Sequence, residues 1–220
     1  PIEIVGAGCK GKFIYIILRD EWSVWCTLGM SGKWAHDLDK HSRVKFCLND
    51  GTVYFSDIRN FGTLKFEKSA KKLKKKLFSL GPDMLSENIS DSEFIQRIRK
   101  CKNKLICQVV MDQKIISGVG NYLKAECLYH SKISPYAKCA SLSDEQLTTL
   151  HTNISQIIRL SYESGGATIK NYTNIDGQIG KYSKRFAVYN QKYDPEGRAV
   201  IKEKTPDGRT THWVPEVQET

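Results

Sequence analysis

The sequence of 220 residues lacks any Cys-x-x-Cys pair. Its seven cysteines (Cys9, Cys26, Cys47, Cys101, Cys107, Cys127 and Cys139) are odd in number and scattered, with none beyond Cys139. Zinc-ribbon spacing is thereby excluded. Scattered thiols without an export signal point to a reducing cytosolic or nuclear setting. No run of about 18 apolar residues exists, so no membrane span is expected. The N-terminus lacks a signal peptide's charged flank and apolar core. It also lacks a Met: "PIEIVGAGCKGKF" runs from Pro1 straight into apolar alternation, which reads as a chain cut from a longer protein. Acidic residues are in deficit, 24 against 34 Lys and Arg, for a net charge of +10. Such a balance favours an anionic partner, of which nucleic acid is the commonest. In other respects the composition, 40% hydrophobic and 26% charged, is that of an ordinary soluble protein of one large or two to three small domains.

Residues 1 to 68 read as strands. "KFIYIIL" and "EWSVWCTL" are aromatic and β-branched, and "SRVKFCLNDGTVYFSD" is two strands around an Asn-Asp-Gly turn, so a small antiparallel sandwich is expected. "EKSAKKLKKKLFSLGP" then places five lysines between Lys71 and Lys76, with Leu73 and Leu77 spaced as a helix face. Its simplest reading is a solvated helix before a linker, stopped by Gly81-Pro82. Further on, Ser90 with Glu93 and Ser143 with Gln146 have capping-box spacing. The second of these opens a helix with Leu147, Leu150, Ile154, Ile157 and Ile158 on one face, ended by Gly165-Gly166. Between the two, "LICQVVMDQKIISGVGNYLKAECLYHSKISPYA" reads as helix, glycine turn and helix, a relative of the helix-turn-helix. The stretch after Gly166 reads as a long exposed loop, and "RAVIKEKTPDGRTTHWVPEVQ" as a β-hairpin around Pro206-Asp207-Gly208.

Singly these signals are modest; their order is specific. "KGKF", "LGMSGKW", "KHSRVKF", "SDIRNFG", "LGPDML", "MDQKIISGVGNYLKAECLYHSKISP", "SGGATIKNY", "FAVYNQK" and "GRTTHWVPEVQ" follow one another along the chain. This order resembles the formamidopyrimidine-DNA glycosylase/endonuclease VIII family of base-excision repair enzymes. The stretch from Met111 to Pro135, similar to the family's helix-two-turn-helix element, carries the most specific part of it. The resemblance implies an α+β multidomain chain. Residues 1–68 are then a partial N-terminal β-sandwich and 69–86 a basic linker. Residues 87–183 form a helix-two-turn-helix domain with a base-recognition loop, and 184–220 a zincless finger hairpin.

What the resemblance implies chemically is a bifunctional glycosylase and abasic-site lyase acting on oxidised bases. An N-terminal proline amine attacks the sugar C1′, and β- then δ-elimination cuts the strand. Extruding a base leaves a hole to be filled, a task the resemblance assigns to Met30, Arg59 and Phe61. A flexible thioether, a guanidinium and a ring can wedge and stack there. Lys12 matches a lysine that contacts phosphate and takes part in proton transfer. His41, Lys102 and Asn121 match further DNA contacts, Asn121 beside the N-terminal N–H groups of a helix. Thr168, Lys170 and Tyr172 match the lining of the loop over the extruded base, and Arg209 an arginine that reaches phosphate from the hairpin and assists δ-elimination.

The sequence departs from that pattern in four places. No Met-Pro-Glu start is present, so Pro1 is read as an internal residue and not as the nucleophile, and the chain as given is expected to be inactive and poorly soluble. Thr27 stands where many members have His, and Asn60 where a basic residue is common. Val214 and Val217 replace the last zinc cysteines, so neither zinc nor any other cofactor is expected. Trp213, Val214, Val217 and the Val200/Ile201 strand are expected to pack the hairpin instead. The expected partner is damaged double-stranded DNA, with single-stranded or bubble DNA left open, bound by a monomer in the nucleus, the cytoplasm or a viral replication site. A non-catalytic damaged-DNA-binding module is the alternative. An RNA-binding helix-two-turn-helix protein is a third reading, disfavoured by the wedge motifs and the terminal hairpin.

Overall fold

The computed structural model of the chain describes residues 2–167 and 179–218. Pro1, Thr168, Lys170 and Tyr172 lie outside the described residues. The chain divides into two compact units, Pro1–Phe78 with Glu163–Ser183, and Ser79–Tyr162 with Lys184–Thr220.

The first unit holds seven strands: β1 (Ile4–Lys10), β2 (Phe13–Leu18), β3 (Trp22–Thr27), β4 (Gly32–Ala35), β5 (Ser42–Leu48), β6 (Gly51–Asp57) and β7 (Thr63–Lys68). They form two antiparallel sheets, ordered β1-β2-β3-β7 and β4-β6-β5. Period-2 alternation decides which residues face inward. Val24 and Cys26 of β3 and Phe55 of β6 are buried, and Phe46 of β5 stacks on Phe66 of β7 at 6.2 Å, joining the sheets. The Asn49-Asp50 turn links β5 to β6 with Leu48 paired to Gly51, a two-residue hairpin as its sequence requires. The lysine-rich segment is helix α1 (Ala70–Phe78), which buries Leu73 and lies against β3.

The second unit is helical with a terminal hairpin: α2 (Asp91–Arg99), α3 (Ile106–Val109), α4 (Asn121–His130), α5 (Asp144–Glu163), β8 (Ile201–Lys204) and β9 (Thr210–Trp213). Both expected caps are present, though unequally. Ser143 and Gln146 bond each other's backbone N–H, whereas Ser90 caps Glu93 while the Glu93 carboxylate turns to Arg97. The predicted α5 face, Leu147, Leu150, Ile154, Ile157 and Ile158, is buried. The helix before the glycine turn is shorter than its apolar run suggests: α3 is a single turn. Gln113 holds the segment after it, donating to the carbonyls of Met111 and Val119 and accepting from the Gly118 N–H. Those bonds satisfy backbone groups that a longer helix would otherwise use.

Helix α4 is buried from Leu123 to Tyr129 and so shows no amphipathic face. It carries two charges at 0% exposure, Lys124 and Glu126, and buried charges must be paired. Glu126 accepts three backbone N–H bonds, from Ala187, Val188 and Tyr189, while Lys124 forms an ion pair with Asp207 in the hairpin turn. Around these, Val214 packs with Ala125, Tyr129, Ala187 and Val188, and Val200 and Val217 join at the margin. Ile201 departs from expectation, being 40% exposed, because alternation along β8 turns it to solvent when Val200 faces in.

Candidate nucleic-acid interface

In the first unit, strand register gathers four chain segments at one rim of the sandwich. Lys10 pairs with Phe13, Ile14 with Cys26, and Thr27 with Thr63, so the Gly11-Lys12 turn, the 28–31 loop and the 58–62 loop share that end. Ser42 pairs with Ser56 and Gly32 with Asp57, which brings the start of β5, with His41, to the same place. The structure therefore brings together Lys12, Met30, His41, Arg59 and Phe61.

Asp57, buried at the end of β6, organises this rim. Its Oδ1 accepts from the Ser31 hydroxyl at 2.6 Å and the Arg59 N–H at 3.0 Å, and its Oδ2 from the Gly62 N–H at 2.7 Å. The Asp57 N–H donates to the His41 carbonyl at 3.0 Å. Burial pushes the Asp57 carboxyl up, but the bonds from Ser31, Gly62 and Arg59 outweigh it and hold the group below its usual range. The two loops also touch directly. Gly29 has φ +60, and a Cβ there would sit 2.8 Å from the Phe61 carbonyl carbon.

Held this way, Met30 and Phe61 are each 62% exposed, and the Arg59 guanidinium lies 3.7 Å from the Met30 sulfur. Large apolar side chains presented by a rigid, hydrogen-bonded loop are what a wedge into a base stack requires. Also in this unit, Lys181 N–H donates to the Ser164 carbonyl and Tyr182 N–H to the Gly166 carbonyl. These bonds join the segments that end at Ala167 and resume at Ile179.

In the second unit, Asn121 opens α4 and its side-chain amide donates to the Thr210 carbonyl of β9 at 2.8 Å. The resemblance gave that amide to phosphate; one of its two N–H groups is instead bound by the hairpin. Arg209, exposed in the hairpin turn, has its backbone pinned on both sides. Its N–H donates to Asp207 Oδ1, and its carbonyl accepts from the Thr205 N–H. Asp207 in turn lies 2.5 Å from the Lys124 Nζ. Burial raises the Asp207 carboxyl, but Lys124 and Thr205 more than offset this and keep it below its ordinary value. Lys102 is exposed in the turn after α2, its carbonyl accepting from the Ala140 N–H. The bonds that place it run to the start of α5, whereas those that place Asn121 and Arg209 run through the hairpin.

Two buried side chains hold the segments before and after the hairpin. Asp194 is buried and accepts from the N–H groups of Glu196 and Arg198, the Arg198 guanidinium and the Tyr129 hydroxyl. Gln218 accepts from the Val214 N–H and donates to the Ile133 carbonyl. Among the described residues, no group of three or more His, Cys, Asp or Glu is placed to hold a metal.

Several of these residues escaped the sequence reading. Asp57 and Asp207 carry a legible signal, an Asp preceding a turn. Asp194, before Pro195-Glu196-Gly197, carries the same signal, whereas Lys124 and Glu126 carry none, since their partners lie at least 60 residues away.

Models for the formamidopyrimidine-DNA glycosylase N-terminal, H2TH and C-terminal domains match residues 2–64, 80–173 and 178–219. The formamidopyrimidine-DNA glycosylase of Shouchella clausii is 31% identical over 220 residues, covering 96% of this chain and 79% of that protein. The chain belongs to the formamidopyrimidine-DNA glycosylase family. The family's enzyme from Bacillus subtilis is likewise 31% identical, over 98% of this chain and 80% of that one. Among solved structures, the MutM (Fpg) protein of Thermus thermophilus superposes with a TM-score of 0.90 at 29% identity, covering 99% of this chain and 83% of that one. Lactococcus lactis Fpg in complex with abasic-site DNA gives 0.88 at 26% identity, with coverage of 100% and 83%. No helix among the described residues is long and apolar enough to cross a membrane.

Proposed function

We propose that this protein serves base-excision repair of oxidised bases, as a DNA glycosylase that also cleaves the strand at the abasic site by β,δ-elimination. The observation that carries this reading is the rim: Asp57 locks two loops together so that Met30, Arg59 and Phe61 project side by side. In this reading Met30 and Phe61 fill the gap left by the extruded nucleotide, and Arg59 hydrogen-bonds the orphaned partner base. Lys12 and His41 hold phosphates beside the lesion, while Asn121, Lys102 and Arg209 hold the backbone from the second unit. Lys12 and Arg209 assist proton transfer and δ-elimination, and Thr168, Lys170 and Tyr172 line the extruded base. The sandwich is taken as residues 1–68, the basic linker as 69–86, the helical domain as 87–183 and the finger as 184–220. The finger keeps its shape without metal, supported by Asp194, Gln218 and the Val214 cluster. Relatives solved with DNA holding an abasic site or Fapy-dG support damaged duplex DNA as the partner.

Borohydride trapping on abasic-site DNA tests the chemistry, run on the chain as given and on a version extended upstream by the relatives' N-terminal segment, beginning Met-Pro-Glu. A covalent adduct with the second is the expected result. Lesion-selective binding with no adduct from either would leave a damaged-DNA-binding module instead.

A further inference from the structure

Twelve residues, Lys65 to Lys76, contain seven lysines and a single glutamate, a net +6 out of the chain's +10. The one acid, Glu67, already lies 2.8 Å from Lys65 and 2.9 Å from Lys72. Helix α1, at the centre of this stretch, is poorly arranged for its own stability. Its first turn has no acidic residue to meet the helix dipole, and Lys71 and Lys72 stand there instead. Lys71 faces Lys74 and Lys75, and Lys72 faces Lys75 and Lys76, at the spacings where like charges repel. A helix that needed only to cover the sheet would be served better by Glu or Gln at these positions.

The lysines are also placed in order. Lys68 lies over Trp22 and Lys65 over Trp25, while Lys74 lies over Phe78 and Lys76 over Phe13, at 4.9–5.9 Å from the rings. Trp22 pairs with Lys68 at the end of the sheet away from the rim, whereas Phe13 adjoins the Gly11-Lys12 turn on the rim itself. Lys65, Lys72 and Lys76 thus share the outer face with Trp25, Glu67 and Phe13, and the stripe of α1 with Lys65 runs along that flank toward Lys12, whereas Lys68 lies on the other face of β7. Asp20 and Glu21, in the turn before β3, bound it at the far end, and it is open toward the rim.

The geometry points to a second nucleic-acid contact on this flank: the lysines of α1 and β7 bind the phosphate backbone of DNA that continues past the lesion held at the rim. Charge complementarity identifies the partner, and exposed Phe78, 78% accessible, offers a ring beside Lys74. The contact adds affinity without sequence or lesion preference, because phosphates carry neither.

The test uses Lys71→Gln/Lys74→Gln/Lys75→Gln in the full chain, three exposed positions outside the rim. Gln keeps the helix propensity and relieves repulsion, so the melting temperature should hold or rise. Binding is measured against salt for a short duplex centred on an abasic site and for the same duplex extended with undamaged sequence. For the extended duplex, the slope of log affinity against log salt should shrink by about 1–3, given roughly 0.9 per phosphate contact. The short duplex should be bound as before. Unchanged slope and affinity on the extended duplex overturn the proposal, as does lysine-dependent capture by phosphatidylserine vesicles with no effect on DNA. Loss of abasic-site preference with the lysine effect intact would count against the rim reading alone.

Discussion

Lys124 and Asp207 offer the sharpest test of how the hairpin is held. Their side chains are 0% and 5% exposed, and Nζ lies 2.5 Å from Oδ2. Asp207 Oδ1 also accepts from the Thr205 hydroxyl at 2.6 Å and the Arg209 N–H at 3.1 Å. Lys124→Met removes the cation and leaves a buried carboxylate with only these neutral donors, at a cost of about 3–5 kcal/mol. Lys124→Met/Asp207→Leu removes both charges, so the uncompensated carboxylate disappears and about 1–2 kcal/mol remains for the two lost hydrogen bonds. The double variant should therefore be more stable than the Lys124 single variant. Asp207→Leu strands the buried Lys124 ammonium and carries a cost of its own, so denaturant unfolding of all four proteins in a double-mutant cycle would read a coupling of at least about 2–3 kcal/mol. Additive effects, or a single-variant cost under about 1 kcal/mol, would refute the view that this pair fastens the hairpin to α4. The Asp207 carboxyl is depressed in the fold, so its contribution is present above the unfolded value of about 4 and lost as pH falls through the folded one.

Asp57→Ala strips the shared acceptor from Ser31, Arg59 and Gly62; abasic-site binding should weaken by roughly tenfold or more (about 1.4 kcal/mol per tenfold) while undamaged-DNA binding changes little, and equal losses on both would contradict the wedge role. Gly29→Ala adds a Cβ at φ +60 against the Phe61 backbone and should produce the same selective loss, readable as reduced base extrusion with a fluorescent base analogue. His212 is buried on β9, and desolvation, with Lys202 and Lys124 nearby, lowers its pKa to about 4. The unfolded chain binds that proton near pH 6.5, so stability should fall as pH drops from about 6.5 toward 4, by up to about 3 kcal/mol. His212→Phe should flatten that acid limb, and an unchanged limb would show that other groups cause it. Arg209→Ala should leave melting unchanged, since the side chain is exposed, yet in the upstream-extended version shift lyase products from δ- toward β-elimination on a gel.

The rim was legible because its residues sit in short local motifs. "LGMSG" and "DIRNFG" carry turn residues at fixed offsets, and alternation of the flanking strands fixes which way each loop leaves the sheet. Helix α5 was legible for a similar reason, a 3.6-residue apolar period ending at two glycines with φ +73 and +85. Helix α4 shows where such reasoning stops. Its burial on all sides erased the period, and its charges read as surface residues until the hairpin was folded against them. Ile201 shows the same limit within one strand: either of two adjacent apolar residues could have faced inward, and the Val214 cluster took Val200.

Readable from the chain alone, then, were the order of elements, the inward faces of strands and α5, the turns, and a family pattern spread along the whole length. Those properties rest on interactions within a few residues, which periodicity and turn chemistry record. The fastening of the hairpin came into view only with the folded molecule: Lys124 against Asp207, Glu126 under three backbone N–H groups, the Tyr129 hydroxyl on Asp194, and Gln218 on the Ile133 carbonyl. Partners separated by up to 85 residues leave no local trace, because burial that makes a polar or charged pair obligatory exists only once the chain has folded around it.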